Sequence, residues 1–350
     1  MNNTATRTQT GSISIGPFQT ESGKTIADVT MAYERSGPAG APVVIVCHAL
    51  TGNHLAIGTE ANPGWWRGLI GSDKPIDTDH YQVLTFNVLG GCDGSTGPAS
   101  TNPETGSAYA CGFPPITIRD MVHAQHRALK KLGITEAEAV IGGSLGGMQV
   151  LEWGLLYPEF MEKLIVLAAT PVFSDYGIAF NHIASTAIRQ DPNWQSGNYH
   201  AVNGLMVARM VGMVTYRSPA LFKARFNRKQ TDDTFDVSSY LDYQGKKLTS
   251  RFDPNSYLAL LEAMNHHNIG NGRGGWKQAA KQLRQPTLVL SFDKDLIYEP
   301  AVIQTFSKEL PCSFYHHIQT DFGHDGFLTE FDKWGALISS FLKSHTVAIN

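Results

Sequence analysis

Residues 138–158, EAVIGGSLGGMQVLEWGLLYP, constrain the fold of this chain more than any other stretch. Residues 137–141 form a short apolar run ending in glycines, as a buried strand does when it enters a tight turn. Met148, Leu151, Glu152 and Leu155 then fall at helical spacing until Tyr157 and Pro158 stop the run. Between the two, Gly142-Gly143-Ser144-Leu145-Gly146 matches GxSxG, the turn that exposes a serine hydroxyl at a strained strand-to-helix junction. Small neighbours let the helix pack against the strand. The unpaired N–H groups of the helix N-terminus favour a developing negative charge. GxSxG alone also occurs in glycine-rich loops of no catalytic use. With a strand before it and a helix after it, Ser144 becomes the candidate nucleophile.

The order of the chain around this elbow predicts an α/β architecture. Residues 12–18 and 25–33 read as two strands around the turn Glu21-Ser22-Gly23, while the polar residues 1–12 are expected to fray. PVVIVCH at 42–48 is a continuous apolar run of the kind that fills a central parallel strand. The turn after it, His48 to Asn53, lies at a strand carboxyl end, where open α/β sheets form their ligand crevice. His48 reads as a structural loop histidine. The loop's backbone matters more, because an N–H near Leu50 paired with that of Leu145 would supply the two donors that acyl transfer needs for its oxyanion. Residues 62–67 predict a loop opening a short helix, 81–88 a strand, 117–132 a helix and 163–169 a strand. The glycine-rich segment 89–98 lacks the Lys-Ser/Thr ending of a P-loop and reads as a structured loop at a pocket rim. Alternation of strands and helices from Val43 to Thr170 implies parallel βαβ units.

Past Phe173 the pattern changes to helices, as in 204–213 and 256–264, broken by Gly270-Asn271-Gly272-Arg273-Gly274-Gly275. A helical insertion after the sixth parallel-type element of the core would cover the carboxyl edge of the sheet above Ser144. The expected division is therefore a core of residues 1–173 and 285–350 with a helical lid of 174–284. The core resumes with strands at 286–291 and 312–318. Asp293 and Asp295 lie in the loop after the first of these, and His324 follows the second. Of 13 histidines, His324 is the one placed after the last strand, where it could take the proton of Ser144. Either Asp293 or Asp295 could orient it.

A length of 350 residues, with 42% hydrophobic and 17% charged residues, describes a globular protein with a large core. A net charge of −3 gives no reason to expect nucleic acid or an anionic membrane as partner. The N-terminus has no secretory apolar region and no run approaches the ~20 apolar residues that span a bilayer, so a cytoplasmic location is expected. Cys47, Cys92, Cys111 and Cys312 lack CxxC spacing and read as buried free thiols, with no metal site.

CHALTG at 47–52, GGCDGSTGPAS at 90–100, IGGSLGGMQVLEW at 141–153, ARMVGMVTYRS at 208–218 and FGHDGF at 322–327 together resemble the homoserine O-acetyltransferase family. The likeness runs from about Gly16 to Leu342. It implies an α/β-hydrolase fold, a mostly parallel sheet flanked by helices with a helical lid insertion. It further implies Ser144 as nucleophile, His324 as base and Asp295 as orienting carboxylate. The activity implied is transfer of an acetyl group from acetyl-CoA, a co-substrate rather than a bound cofactor, to L-homoserine in methionine biosynthesis, usually by a homodimer. Arg209 and Asp325 match the family's substrate-binding arginine and aspartate. Their charges suit a zwitterionic acceptor, the guanidinium for its carboxylate and the aspartate for its ammonium. The structural alternatives are a salt bridge for Arg209 and a helix N-cap for Asp325. Asn265 and Ser185 depart from the Asp and Arg that the likeness leads one to expect. An esterase with the same triad and water as acceptor is the competing reading, as are succinyl-CoA or L-serine as substrates of the same transferase.

Overall fold

The computed structural model describes residues 8–195 and 202–344. Its strands are β1 (Gln9–Gln19), β2 (Thr25–Ser36), β3 (Val43–Cys47), β4 (Ile70–Gly71), β5 (Ile76–Asp77), β6 (Gln82–Phe86), β7 (Ala137–Gly143), β8 (Met161–Leu167), β9 (Gln230–Thr231), β10 (Thr234–Phe235), β11 (Thr287–Phe292) and β12 (Ser313–Ile318). Eight of them form one sheet in the order β1-β2-β6-β3-β7-β8-β11-β12, while β4 with β5 and β9 with β10 are separate ribbons. From β6 to β12 neighbouring strands are parallel, and β1 and β2 are antiparallel additions at one edge.

The parallel strands are buried on both faces because alternate side chains feed two cores. Ile45 and Cys47 of β3 enter one core, and Val44 and Val46 enter the other. Helices α1 (Ile118–Lys131) and α2 (Leu145–Leu156) contribute to the first core. Between β8 and β11 come α3 (Asp175–Arg189), α4 (Asn203–Tyr216), α5 (Pro219–Phe226), α6 (Asp236–Thr249), α7 (Pro254–Asn265) and α8 (Trp276–Ala280). The chain then adds α9 (Pro300–Ser307), α10 (Gly326–Thr329) and α11 (Phe331–Lys343), the last packing Trp334 and Ile338 into the second core. Helix starts follow local chemistry. Thr117 and Asp120 form a reciprocal capping box on α1, Ser174 caps α3, and Asp253 caps α7 ahead of Pro254.

Four sequence expectations need correction. Residues 62–67 form turns rather than a helix, because Gly64 and Trp66 donate back to Ile57 O and Ala56 O at 2.8 and 2.9 Å. The frayed N-terminal stretch is partly strand, since Gln9 pairs with Arg35 at the start of β1; Met1 to Arg7 lie outside the described residues. The insertion follows the sixth strand of the main sheet in chain order, but β1 and β2 are antiparallel, so within that sheet only β3, β6, β7 and β8 are parallel strands before it. The four cysteines are not all buried: Cys47 is, Cys92 and Cys312 are partly so, and Cys111 is exposed. Among the described residues no helix is long and apolar enough to cross a membrane.

Candidate active site

Strand register brings four loops to one edge of the sheet. Cys47 lies opposite Gly142, Gly143 opposite Leu167, Leu167 opposite Leu290, and Phe292 opposite Ile318. The loops after β3, β7, β11 and β12 therefore leave the sheet along one carboxyl edge. Ser144 sits there between β7 and α2 at φ 58°, ψ −127°, a conformation that costs an L-residue of order 1–3 kcal/mol. The flanking glycines permit it. A Cβ on Gly146 would lie 2.1 Å from Cys47 O, and one on Gly142 would lie 2.5 Å from Gly146 O.

The nearest loop is held by its own histidine. His48 Nε2 accepts from Val88 N at 3.0 Å while Nδ1 faces Ala49 O at 2.8 Å, so the ring is neutral with its proton on Nδ1. Burial agrees, pushing the His48 pKa down to about 4. From α2, the buried Gln149 donates to His48 O at 3.3 Å. These ties fix the turn that carries Leu50. Leu50 lines the same cavity as Ser144, and Leu145 is the first residue of α2, where the helix leaves its amide without an internal partner.

His324 is aligned by Asp295. Nδ1 donates to Asp295 Oδ2 at 2.7 Å, with the two side chains 5% and 0% exposed, which ties down Nδ1 and not Nε2. Asp295 Oδ1 accepts from the Ile297 and Tyr298 amides at 2.9 and 3.0 Å. Gly323, at φ 66°, lets this loop approach Lys294, whose carbonyl would be 2.9 Å from a Cβ there. Asp293 points elsewhere: it is a third exposed and lies 3.8 Å from both Lys294 Nζ and His317 Nε2. Tyr298 stacks on the imidazole at 5.1 Å between centroids and 22° between planes, with Tyr216 at 5.7 Å and Phe327 at 5.2 Å on other sides. Ser144 Oγ donates to Tyr298 Oη at 3.5 Å, and among the described residues no hydrogen bond joins it to His324. Contacts of this kind commonly tighten only when substrate binds.

A narrow cavity of about 30 Å³ lies above Ser144. Its walls come from α3, α4 and α7 of the insertion, through Phe180, Ala184, Gly212, Tyr216 and Tyr257 among others, and from Ile297 and Tyr298 of the core. A larger groove of about 580 Å³ lies at the other end of the strands, around Pro42, Glu136 and Glu162, and holds none of these residues.

Arg209 stands beside that cavity on α4. Its Nη1 reaches Thr51 Oγ1 at 3.5 Å, its Cζ lies 5.9 Å from the Tyr216 ring, and among the described residues it has no carboxylate partner. The salt bridge considered for it is therefore not formed. Asp325 occupies the position before α10 without capping it; instead Arg217 Nε donates to its Oδ2 at 2.8 Å, and Arg217 Nη1 donates to Tyr240 Oη at 2.6 Å. Asn265 accepts from Asn181 Nδ2 at 2.8 Å and Ser185 donates to His182 O at 3.0 Å, both contacts internal to the insertion. Sequence reasoning passed over Tyr298, Arg217 and Gln149. Tyr298 lay inside the loop that supplied Asp295, but only tertiary stacking marks it. Among the described residues no group of three or more His, Cys, Asp or Glu side chains is placed to hold a metal ion.

Comparison with known proteins now adds to this geometry. Residues 42–331 match a family described as having the alpha/beta hydrolase fold. The homoserine O-acetyltransferase of Carboxydothermus hydrogenoformans is 39% identical, covering 98% of this chain and 97% of its own. The crystal structure of homoserine O-acetyltransferase from Staphylococcus aureus is 37% identical with a TM-score of 0.83, covering 98% of both chains. A solved esterase is 27% identical with a TM-score of 0.89, covering 96% of this chain and 100% of the esterase.

Proposed function

The chain belongs to the homoserine O-acetyltransferases, within the α/β-hydrolase fold, and from that premise we propose how its own residues carry the reaction. It moves an acetyl group from acetyl-CoA to the hydroxyl of L-homoserine, a step of methionine biosynthesis, and does so by a two-stage exchange. Ser144 Oγ attacks the thioester carbon, its proton passes to His324 Nε2, and the CoA thiolate leaves with that proton. The homoserine hydroxyl then attacks the acetyl-serine, His324 takes its proton, and the C–Oγ bond breaks as Oγ recovers the proton. Asp295 holds the imidazole in the tautomer both steps need and stabilises the imidazolium between them. The amides of Leu50 and Leu145 receive the oxyanion at each tetrahedral stage.

The observation that carries this reading is the pairing of His324 with Asp295 beside a strained Ser144, under a roof of helices. Residues 174–284 act as a lid that keeps water from the acyl-serine, which is what separates transfer from hydrolysis. Arg209 receives the acceptor carboxylate, since among the described residues this cation has no acid partner and it lies next to Tyr216 of the cavity wall. Asp325 receives the ammonium and shares it with Arg217. The lid also leaves Tyr176, Ile183, Val207, Val214 and Tyr243 exposed, an apolar surface suited to a second copy of the chain, and the working form is a homodimer.

Hydrolysis is the second reading, favoured by the likeness to a solved esterase. Mixing the enzyme with acetyl-CoA and following free thiol, with and without L-homoserine, decides between them. A small burst that homoserine converts to steady turnover supports transfer. Steady thiol release indifferent to homoserine sinks it.

A further inference from the structure

Tyr298 touches all three members of the proposed triad. Its ring lies flat on His324, its amide donates to Asp295 Oδ1 at 3.0 Å, and its hydroxyl lies 3.5 Å from Ser144 Oγ. The residue is fully buried and lines the cavity with Ser144, and Ser144 Oγ is its hydroxyl's hydrogen-bond partner. A buried hydroxyl aimed at a nucleophile has a chemical consequence that depends on whether the serine is acylated.

In the free enzyme Ser144 donates and Tyr298 accepts. Acetylation removes the serine proton. Oγ then has only lone pairs, so a bond between the two oxygens requires Tyr298 to donate. Burial raises the phenol's pKa above its ordinary value, so the donor proton is retained at working pH. We propose that Tyr298 is a catalytic residue of the second half-reaction, its O–H donating to Ser144 Oγ as the C–Oγ bond breaks. This rests on the acyl-serine reading above. The acceptor oxygen forms its bond to the acetyl carbon and passes its proton to His324 Nε2. The electron pair of the C–Oγ bond moves to Oγ, and His324 returns the proton there. Tyr298 keeps its own proton and stabilises the negative charge on Oγ before the proton arrives. The first half-reaction gains less from this contact, because in the free enzyme it draws the serine proton toward Tyr298 rather than His324 and has to be broken before attack. Tyr298 therefore favours emptying the acyl-enzyme over filling it.

Tyr298→Phe keeps the ring against His324 and removes only the hydroxyl. The burst of thiol from acetyl-CoA should stay within about twofold or rise, while turnover of acetyl-Ser144 falls roughly 10- to 100-fold, as expected for a hydrogen bond to a charged oxygen. Acetylated Ser144 should then accumulate by mass spectrometry even with acceptor present. Equal loss in both half-reactions would reduce Tyr298 to packing, and no change in either would also overturn the proposal. Running the same pair of proteins with p-nitrophenyl acetate as donor and hydroxylamine as acceptor separates the two claims. If wild type ignores L-homoserine but the substitution still slows discharge to hydroxylamine, the acceptor assignment fails and Tyr298 stands. A Tyr298→Leu variant, with melting temperature recorded, checks the ring: losing the stack as well, it should lower the burst too.

Discussion

Asp295 uses both carboxylate oxygens, one on His324 at 2.7 Å and the other on two backbone amides, and its side chain is 0% exposed. Arg209, beside the same cavity but on the helical insertion, reaches one threonine hydroxyl at 3.5 Å and has no acid partner among the described residues. The first group is complete before any substrate arrives; the second is left with donors to give. Buried charges are costly unless paired, so a core that satisfies its own carboxylate is built to keep one geometry. A half-buried guanidinium with spare donors is built to meet a ligand. In the proposed mechanism that difference separates acyl chemistry, carried by the core triad, from acceptor choice, carried by Arg209 on the insertion and Asp325 in the core loop it meets.

The largest expected effect tests the core side. Asp295→Asn should lower both half-reactions roughly 10⁴-fold, since the amide favours the wrong imidazole tautomer. Asp293→Asn should change either by no more than about threefold, because Asp293 faces Lys294 and His317. Measuring burst rate and steady-state turnover in both variants checks this, and reversed sizes would mean that the wrong acid has been assigned.

On the lid side, Arg209→Ala should leave the thiol burst unchanged and lower specificity for L-homoserine about 10- to 150-fold, the worth of one or two charge-assisted contacts. Asp325→Ala, in the core loop that the insertion's Arg217 reaches, should act on the acceptor in the same direction, with an added loss of stability because it strands the Arg217 guanidinium. If either variant loses the burst in proportion, the separation of core from lid breaks down.

These two sides were not equally legible in the sequence. The elbow could be read because strand, turn and helix are contiguous, and the order of Ser144, a late aspartate and His324 follows the chain. Asp293 and Asp295 could not be separated by pattern alone. They lie two residues apart in one loop, and only the folded path, with the amides of Ile297 and Tyr298 turned onto Asp295, distinguishes them. The Arg217–Asp325 bridge joins the helical insertion to the last loop of the core, and Tyr298 is marked only by its tertiary contacts with His324 and Ser144. Neither leaves a local spacing to read. Residues 62–67 misled because Pro63-Gly64 is compatible with a helix start, whereas backbone bonds back to Ala56 and Ile57 decide the outcome.

A smaller effect concerns pH. Burial holds His48 at a pKa of about 4, below the ordinary value of 6.5 that it regains on unfolding. Between these values the unfolded chain binds a proton that the folded one does not, so stability falls as pH drops from about 6.5 toward 4. His48 alone should raise the unfolding constant by up to roughly tenfold per pH unit in that window. Urea melts at several pH values should show the slope, and His48→Gln should flatten it; an unchanged slope would mean that the histidine is not held neutral.

The most direct test is to incubate the enzyme with acetyl-CoA alone, remove the donor, and identify the acetylated peptide. An acetyl group on Ser144 that L-homoserine removes quickly and water slowly is the expected result, and in Arg209→Ala the same group should form normally but leave slowly with homoserine. An unmodified Ser144 together with intersecting double-reciprocal lines would contradict the account at its centre.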